Sequence, residues 1–158
     1  MKFTDKDRLL EAVASIRKRL EKAFSPDTAI TANKGLTLSA GQCAAASIVT
    51  SKVLGADYVS AQPSGKSHWF NRVKVGNEFL DVDLTGDQFG RPAIQIAPAG
   101  QLYSKTRVRK PDEIHIETLE RAKLLAVRAG LNSVEDAINL EIKRKRHEKA
   151  LGGSREVY

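Results

Sequence analysis

The pair Gly76-Asn77 is the sequence feature that most constrains the fold, because it separates two segments in which apolar and polar residues alternate. These segments, residues 67–75 and 78–85, have the length of ordinary strands. A Gly-Asn pair between two such segments predicts a β-hairpin with a two-residue turn. Because the turn fixes the pairing of the two strands, we expect Asn71 to face Val82.

Helical periodicity precedes this hairpin. Apolar residues recur every three or four positions between residues 9 and 24, which predicts a first helix with Thr4 as its N-cap. Residues 39–54 predict a second helix, with Ser39 at the N-cap and Gln42 three positions later, the spacing of a capping box.

The other segments are predicted from the same kinds of pattern. Further short strands are predicted at residues 58–61, 94–96 and 102–108. Residues 111–129 predict a third helix, and a fourth is expected to begin at Ser133. The fourth helix is predicted to end in a run of basic residues, 143–149, before a pair of glycines.

Composition limits the classes of protein to consider. A chain of 158 residues is close to the usual size of one domain, and a single Cys excludes an intrachain disulfide and Cys-rich zinc modules. The net charge of +7 favours acidic partners or nucleic acid. The charged N-terminal segment lacks the apolar centre of a secretory signal, and no run approaches the ~20 apolar residues of a membrane span. We therefore expect a cytoplasmic protein with a reduced thiol and no membrane partner.

The single cysteine, Cys43, is a candidate nucleophile. It is predicted to lie in the first turn of the second helix, where the helix dipole and unpaired N–H groups favour a thiolate. The alternative is a small buried residue in an alanine-rich helix, since free cysteines are often buried.

His68 and Asp83 are the candidate partners of this thiol. In the hairpin register, Asp83 is the diagonal neighbour of His68 on the same face of the sheet, close enough for its carboxylate to orient the imidazole. Asp81 shares that face but lies further away, and Asp87 in the following loop is a second alternative. A shift of one residue would turn Asp83 to the opposite face. His68 alone is also consistent with a half-buried histidine that has no catalytic role.

Three segments in this region resemble a known family. The sequences GQCA at 41–44, SHWFNR at 67–72 and VDLTGDQF at 82–89 are similar to the bacterial YunG-like proteins, small members of the papain-like and transglutaminase-like superfamily. The resemblance covers roughly residues 39–90. It implies a papain-like or transglutaminase-like α+β fold, with N-terminal helices packed on an antiparallel sheet. The C-terminal helices predicted above lie outside the resemblance and complete the expected fold.

The resemblance implies the catalytic roles, and the sequence pattern divides the chain. Residues 1–110 are the expected catalytic core, and residues 111–158 are predicted to be a helical extension packed on it within one compact domain. Cys43 is the implied nucleophile, His68 the general base and Asp83 the residue that orients it. The reaction would be acyl transfer on a peptide or amide substrate, without a cofactor or a metal ion.

Further groups complete this interpretation. The backbone N–H of Cys43 is the natural oxyanion donor, with Gln42 or Asn71 as the candidate second donor. Trp69 either shapes the substrate cleft or packs in the core. Hydrolysis, deamidation and transamidation remain open alternatives.

Two other functions are consistent with the sequence. One is a non-catalytic binding module whose basic C-terminal helix binds an acidic protein or, less favoured, nucleic acid. The basic run at 143–149 is also explained as a solvated helix end, where the helix dipole favours Lys and Arg. The other is a metal-assisted hydrolase in which His68 binds a metal together with Asp81 or Asp83.

Overall fold

The computed structural model describes residues 3–29 and 41–156, with side chains as far as residue 151. Four α-helices and one five-stranded sheet make up this described part, which is an α+β arrangement. The helices are α1 (Lys6–Ala23), α2 (Cys43–Leu54), α3 (Ile116–Arg128) and α4 (Asn132–Glu156), and the strands are β1 (Asp57–Ala61), β2 (His68–Val75), β3 (Glu78–Asp83), β4 (Gln95–Pro98) and β5 (Arg107–Arg109).

The sheet is antiparallel throughout, in the order β4-β3-β2-β1-β5. Its centre is the predicted hairpin, in which Asn71 faces Val82 as expected. Gly76 adopts a φ of 61°, in the left-handed region that a two-residue hairpin turn requires and that glycine enters without strain. The register inferred from sequence spacing is therefore confirmed.

Helix α1 matches the prediction apart from its first residue. The N-cap is Asp5, not Thr4, because the Asp5 carboxylate accepts a hydrogen bond from the Arg8 N–H at 2.8 Å. The helix ends at Ala23, and a short 3-10 turn, Pro26–Thr28, follows it.

Helix α2 begins at Cys43 with Gln42 as its N-cap residue, so the predicted position of Gln42 inside a capping box is wrong. The physical reason lies one residue earlier, since Gly41 has a φ of 73° and cannot belong to a right-handed helix. Ser39, the predicted N-cap, lies outside the described residues. Cys43 is in the first turn, as predicted.

Three strands differ in length from the prediction. Strand β3 ends at Asp83, because the Asp83 carboxylate binds the Thr85 N–H at 3.0 Å and turns the chain. Strand β4 is displaced by a residue or two, to Gln95–Pro98. Strand β5 keeps only the end of the predicted 102–108 strand, because Lys105 adopts a φ of 52° and interrupts extended backbone.

The C-terminal helices extend differently from the predicted ranges. The first residues of the predicted third helix form a separate 3-10 turn, Pro111–Glu113, and α3 starts only at Ile116. Helix α4 continues through the two glycines that were predicted to end it, as far as Glu156. Glycine lowers helix propensity by about 1 kcal/mol relative to alanine, which weakens a helix without interrupting it.

The main hydrophobic core lies between the helices and one face of the sheet. It joins apolar side chains of all four helices with those of β1, β2 and β3. The opposite face of the sheet carries a smaller cluster of Val59, Ala61, Phe70 and Tyr103. Within the ranges described, no helix is both long enough and apolar enough to cross a membrane.

Candidate active site

His68 and Asp83 form a buried hydrogen-bonded pair at one end of the hairpin. His68 is the first residue of β2 and Asp83 the last of β3, so the strand pairing brings them to the same end of the sheet. His68 Nε2 lies 2.9 Å from Asp83 Oδ2, and the two side chains are 0% and 1% exposed. The proximity predicted from the sequence is present.

The Asp83 carboxylate is held by several donors besides His68. The Tyr103 hydroxyl donates to Oδ2, Gln95 Nε2 lies 3.5 Å from the same oxygen, and the Thr85 N–H donates to Oδ1 at 3.0 Å. Burial acts to raise the pKa of Asp83, but the hydrogen bonds from His68, Tyr103 and Thr85 outweigh it and lower the pKa. Asp83 is therefore a buried, ionised carboxylate.

Tyr103 is suited to remain the donor in this arrangement. Burial and the neighbouring Asp83 charge raise the pKa of the Tyr103 hydroxyl, so it keeps its proton. The Arg91 guanidinium lies 4.3 Å from the centroid of the Tyr103 ring, and Arg91 Nη1 donates to the Leu102 carbonyl at 2.7 Å. Arg91 therefore fixes the loop that carries Tyr103.

The imidazole of His68 is enclosed by aromatic rings. The ring centroids of Phe70, Phe89 and Tyr103 lie 5.9, 4.8 and 5.1 Å from that of His68. Gln88 Nε2 lies 3.3 Å from Nδ1, the ring nitrogen that does not face Asp83. This packing leaves the imidazole little freedom to rotate.

Cys43, at the start of α2, acts on the pKa of His68. Burial lowers the pKa of His68, but hydrogen bonds and charge attraction from Asp83 and Cys43 outweigh it and raise the pKa from 6.5 to about 9. The Cys43 side chain is buried, with 8% of the residue exposed. An imidazolium between a carboxylate and a thiol is thus the favoured form of His68 at neutral pH.

The helix start also supplies backbone donors around the thiol. The first N–H to donate along α2 is that of Ala46, which bonds the Gln42 carbonyl at 2.9 Å. The N–H groups of Cys43, Ala44 and Ala45 precede this bond and have no acceptor within the helix. They lie at the positive end of the helix dipole, where negative charge is stabilised.

The two other aspartates considered from the sequence have structural partners. Asp81 forms a bidentate ion pair with Arg72, at 2.6 and 3.1 Å, and accepts the Gly100 N–H at 2.8 Å. Asp87 forms a bidentate pair with Arg17, both contacts being 3.1 Å. His68 therefore pairs with Asp83, and Asp81 and Asp87 bind arginines.

The amides considered as oxyanion donors are also engaged elsewhere. Gln42 Nε2 donates at 2.8 Å to a carbonyl oxygen of the Ser25–Thr28 turn, and a hydroxyl of that turn donates to Gln42 Oε1 at 2.7 Å. Asn71 Nδ2 donates to the carbonyls of Ser47 and Asp57 at 2.9 and 3.2 Å. Both side chains connect elements of the fold, so we retain neither as an oxyanion donor.

A small cavity of about 130 Å³ adjoins the thiol. Its walls include Cys43, Ala44 and Ile48 of α2, Trp69 of β2, and Ile114 before α3. Trp69 is half-buried: it lines this cavity, and its ring centroid lies 6.4 Å from that of Tyr58 in the core.

Three residues of the site were not identified from the sequence. The His68–Asp83 pair is surrounded by Tyr103, Gln95 and Gln88. Of these, only Gln88 lies within a segment that carries the family resemblance, residues 82–89. Tyr103 is 20 residues from Asp83 in the chain, in a loop that was predicted to be a strand. No spacing rule connects a loop tyrosine with a strand aspartate.

The metal and charge features considered from the sequence are also placed by the structure. Among the described residues, no group of three or more His, Cys, Asp or Glu side chains is arranged to hold a metal ion. In the basic run, Arg146 pairs with Glu120 at 3.0 Å, and Lys145 donates to the Asp112 carbonyl at 3.3 Å. Lys143, Arg144 and Lys149 of the same run are exposed.

The comparison with known families identifies the chain. The family described as YunG protein matches residues 12–129, well over half of the chain and all of the site described above. No curated protein and no solved structure matches it. The chain belongs to the YunG family.

Proposed function

We propose that the protein is a cysteine-dependent acyl-transfer enzyme of papain-like or transglutaminase-like type, acting on a peptide or amide carbonyl. The observation that carries the proposal is the buried His68–Asp83 pair, 2.9 Å apart, with Cys43 at the start of a helix and close enough to raise the pKa of the same imidazole. A nucleophile, a base and a group that orients the base is the arrangement that covalent acyl transfer needs.

Each residue has one task in the proposed reaction. The Cys43 thiolate attacks the carbonyl carbon, and the backbone N–H groups at the start of α2 stabilise the oxyanion. The tetrahedral intermediate collapses to a thioester as the C–N bond breaks, and His68 gives its proton to the leaving amine. His68 then takes a proton from the incoming water or amine, which attacks the thioester and releases the thiolate.

Asp83 acts through His68 in this scheme. Its charge favours the imidazolium that accompanies the thiolate, and its hydrogen bond to Nε2 directs the Nδ1 side of the ring away from the carboxylate. Since Asp83 holds Nε2, proton transfer with Cys43 and the substrate is assigned to Nδ1, the ring nitrogen that Gln88 Nε2 approaches to 3.3 Å.

The test is the pH dependence of Cys43 alkylation by iodoacetamide, read by intact mass. Cys43 is the only cysteine in the chain, so every added group reports on it. An ordinary thiol reacts only as the pH approaches ~8.5, whereas a thiolate paired with an imidazolium reacts well below that. We expect alkylation at pH 6 in the wild type and its loss in His68→Gln.

The matched control is His147→Gln, which changes an exposed histidine of α4. It is expected to alkylate like the wild type. A wild-type profile centred near pH 8.5, or equal low-pH rates in His68→Gln and the wild type, would overturn the proposal. Active preparations are then assayed for release of ammonia or amine from short peptide amides.

A non-catalytic role for the basic end of α4 is the second candidate. The observation favouring it is that Lys143, Arg144 and Lys149 are exposed, which leaves their charge available to an acidic protein. Titration with polyglutamate tests this role. Binding that weakens with salt and disappears when Lys143, Arg144 and Lys149 are all replaced by Gln supports docking of an acidic protein on this helix end. Binding unchanged in that variant excludes this surface.

A further inference from the structure

The cavity beside Cys43 is enclosed mainly by apolar groups. The methyl of Ala44, the side chains of Ile48 and Ile114 and the indole of Trp69 form its walls. Ile48 and Ile114 are buried, so these walls belong to the packed core and keep their shape. An apolar wall of this kind favours a neutral, apolar occupant.

The carboxylate at the cavity, that of Glu113, is already paired. Glu113 Oε2 accepts the Lys110 N–H at 2.7 Å, and Glu113 Oε1 accepts from Arg109 Nη1 at 3.1 Å. Since these partners satisfy the carboxylate, Glu113 offers no free counter-charge to a substrate ammonium group. Ser67, His115 and Thr118 also line the cavity, and the Glu113 charge repels a substrate carboxylate.

The size of the cavity limits the occupant further. Its volume is about 130 Å³, somewhat less than an engineered apolar cavity of about 150 Å³ that holds one benzene molecule. A group of up to about six carbon atoms therefore fits. Because Cys43 is itself part of the wall, a group bound here is attached next to the carbonyl that the thiol attacks.

We infer that this cavity binds the side chain next to the attacked carbonyl, and that it selects short aliphatic side chains of the size of valine or leucine over glycine and over charged side chains. This inference rests on the proposed acyl-transfer function and names its substrate class. It makes Ala44, Ile48, Trp69 and Ile114 the residues that determine specificity.

The test uses N-acetyl aminoacyl chloromethyl ketones, which differ only in the side chain next to the carbonyl. The Cys43 sulfur forms a bond to the methylene carbon and chloride leaves, so labelling is read by intact mass. We expect the leucyl reagent to label at least about tenfold faster than the glycyl reagent, as an apolar pocket of this size discriminates. The glutamyl and lysyl reagents are expected to be slower than the leucyl reagent.

A cavity-filling variant connects the preference with this site. Ala44→Leu places three more carbon atoms in the cavity, and we expect the leucyl-to-glycyl ratio to fall at least about tenfold. Ala14→Leu is the matched control, because Ala14 is exposed on α1 and far in sequence from the cavity walls. Its ratio is expected to equal that of the wild type.

Iodoacetamide separates this inference from the proposed function, because it has no side chain to place in the cavity. If iodoacetamide labels wild-type Cys43 at pH 6 while the leucyl and glycyl reagents label equally, the cavity inference is overturned and the proposed function stands. If iodoacetamide fails to label at pH 6, the proposed function is overturned and the inference falls with it. An Ala44→Leu ratio equal to that of the wild type also overturns the inference.

Discussion

Tyr103 donates a hydrogen bond to Asp83 Oδ2, the same carboxylate oxygen that lies 2.9 Å from His68 Nε2. One oxygen atom thus connects a loop tyrosine, a strand aspartate and a strand histidine. The Tyr103 ring also packs on the imidazole, with the centroids 5.1 Å apart. Tyr103 therefore acts on His68 by two routes, through the carboxylate and by direct contact, which makes it a positioning residue of the proposed site.

Replacing Tyr103 with phenylalanine tests the first route, since the ring is kept and only the hydroxyl is lost. A hydrogen bond to a charged group contributes about 1.5–3 kcal/mol, so we expect the free energy of unfolding in urea to fall by that amount. The Tyr103 bond is one of the interactions that lower the pKa of Asp83, so its loss raises that pKa. A variant with unchanged stability contradicts this role.

The pH dependence of stability follows from the raised pKa of His68. The ordinary pKa of 6.5 is raised to about 9 by Asp83 and Cys43, so the folded protein holds the proton more tightly than the unfolded chain. The resulting stabilisation is fully present below pH 6.5 and is lost as the pH rises through about 9. Its size is on the order of 3 kcal/mol.

The measurement is urea unfolding at pH 6 and at pH 10 for the wild type and Asp83→Asn. Lysines and tyrosines titrate in both proteins. The difference between the stability that the wild type loses and the stability that the variant loses therefore reports on the His68–Asp83 interaction. We expect the wild type to lose more stability than the variant over this interval. Equal losses in the two proteins would show that Asp83 does not hold the His68 proton.

The hairpin is the part of the site that the sequence predicts best, and the reason is local geometry. The two-residue turn at Gly76-Asn77 fixes the pairing of β2 and β3, and the pairing brings His68 and Asp83 together. A short-range rule thus determines a contact between residues 15 positions apart. Cys43 follows from a different local rule, the start of α2.

The contacts that the sequence did not predict depend on long-range packing or on single backbone angles. Arg72 binds Asp81 across the hairpin, an ion pair that was not predicted from the sequence. The left-handed conformation of Lys105 shortens β5, and that of Gly41 delays the start of α2. Lysine is rare in this conformation, so no sequence rule would have placed it there.

Asn71 provides a test of structural against catalytic roles, because it was also a candidate oxyanion donor. Asn71→Ala removes two hydrogen bonds, a buried one to the Ser47 carbonyl and a part-buried one to the Asp57 carbonyl. A lost hydrogen bond costs about 0.5–1.5 kcal/mol, so we expect the free energy of unfolding to fall by about 1–3 kcal/mol. Where the variant remains folded, Cys43 alkylation at pH 6 is expected to persist. If alkylation at pH 6 disappears while the fold is intact, Asn71 has a role in the reactivity of Cys43 and is not only structural.

The comparison of Asp81→Asn with Asp83→Asn separates the two strand aspartates, which are two residues apart and equally buried. Asp81→Asn breaks the bidentate pair with Arg72 and leaves that arginine without its carboxylate, which costs on the order of 3 kcal/mol of stability. Because Asp81 does not bond His68, the variant should keep alkylation of Cys43 at pH 6, measured on protein shown to be folded by circular dichroism. Asp83→Asn should instead lose most of that alkylation, because the neutral amide no longer favours the imidazolium. If the two variants exchange these outcomes, Asp81 rather than Asp83 supports the histidine, and the role assigned to the hydrogen bond at 2.9 Å is wrong.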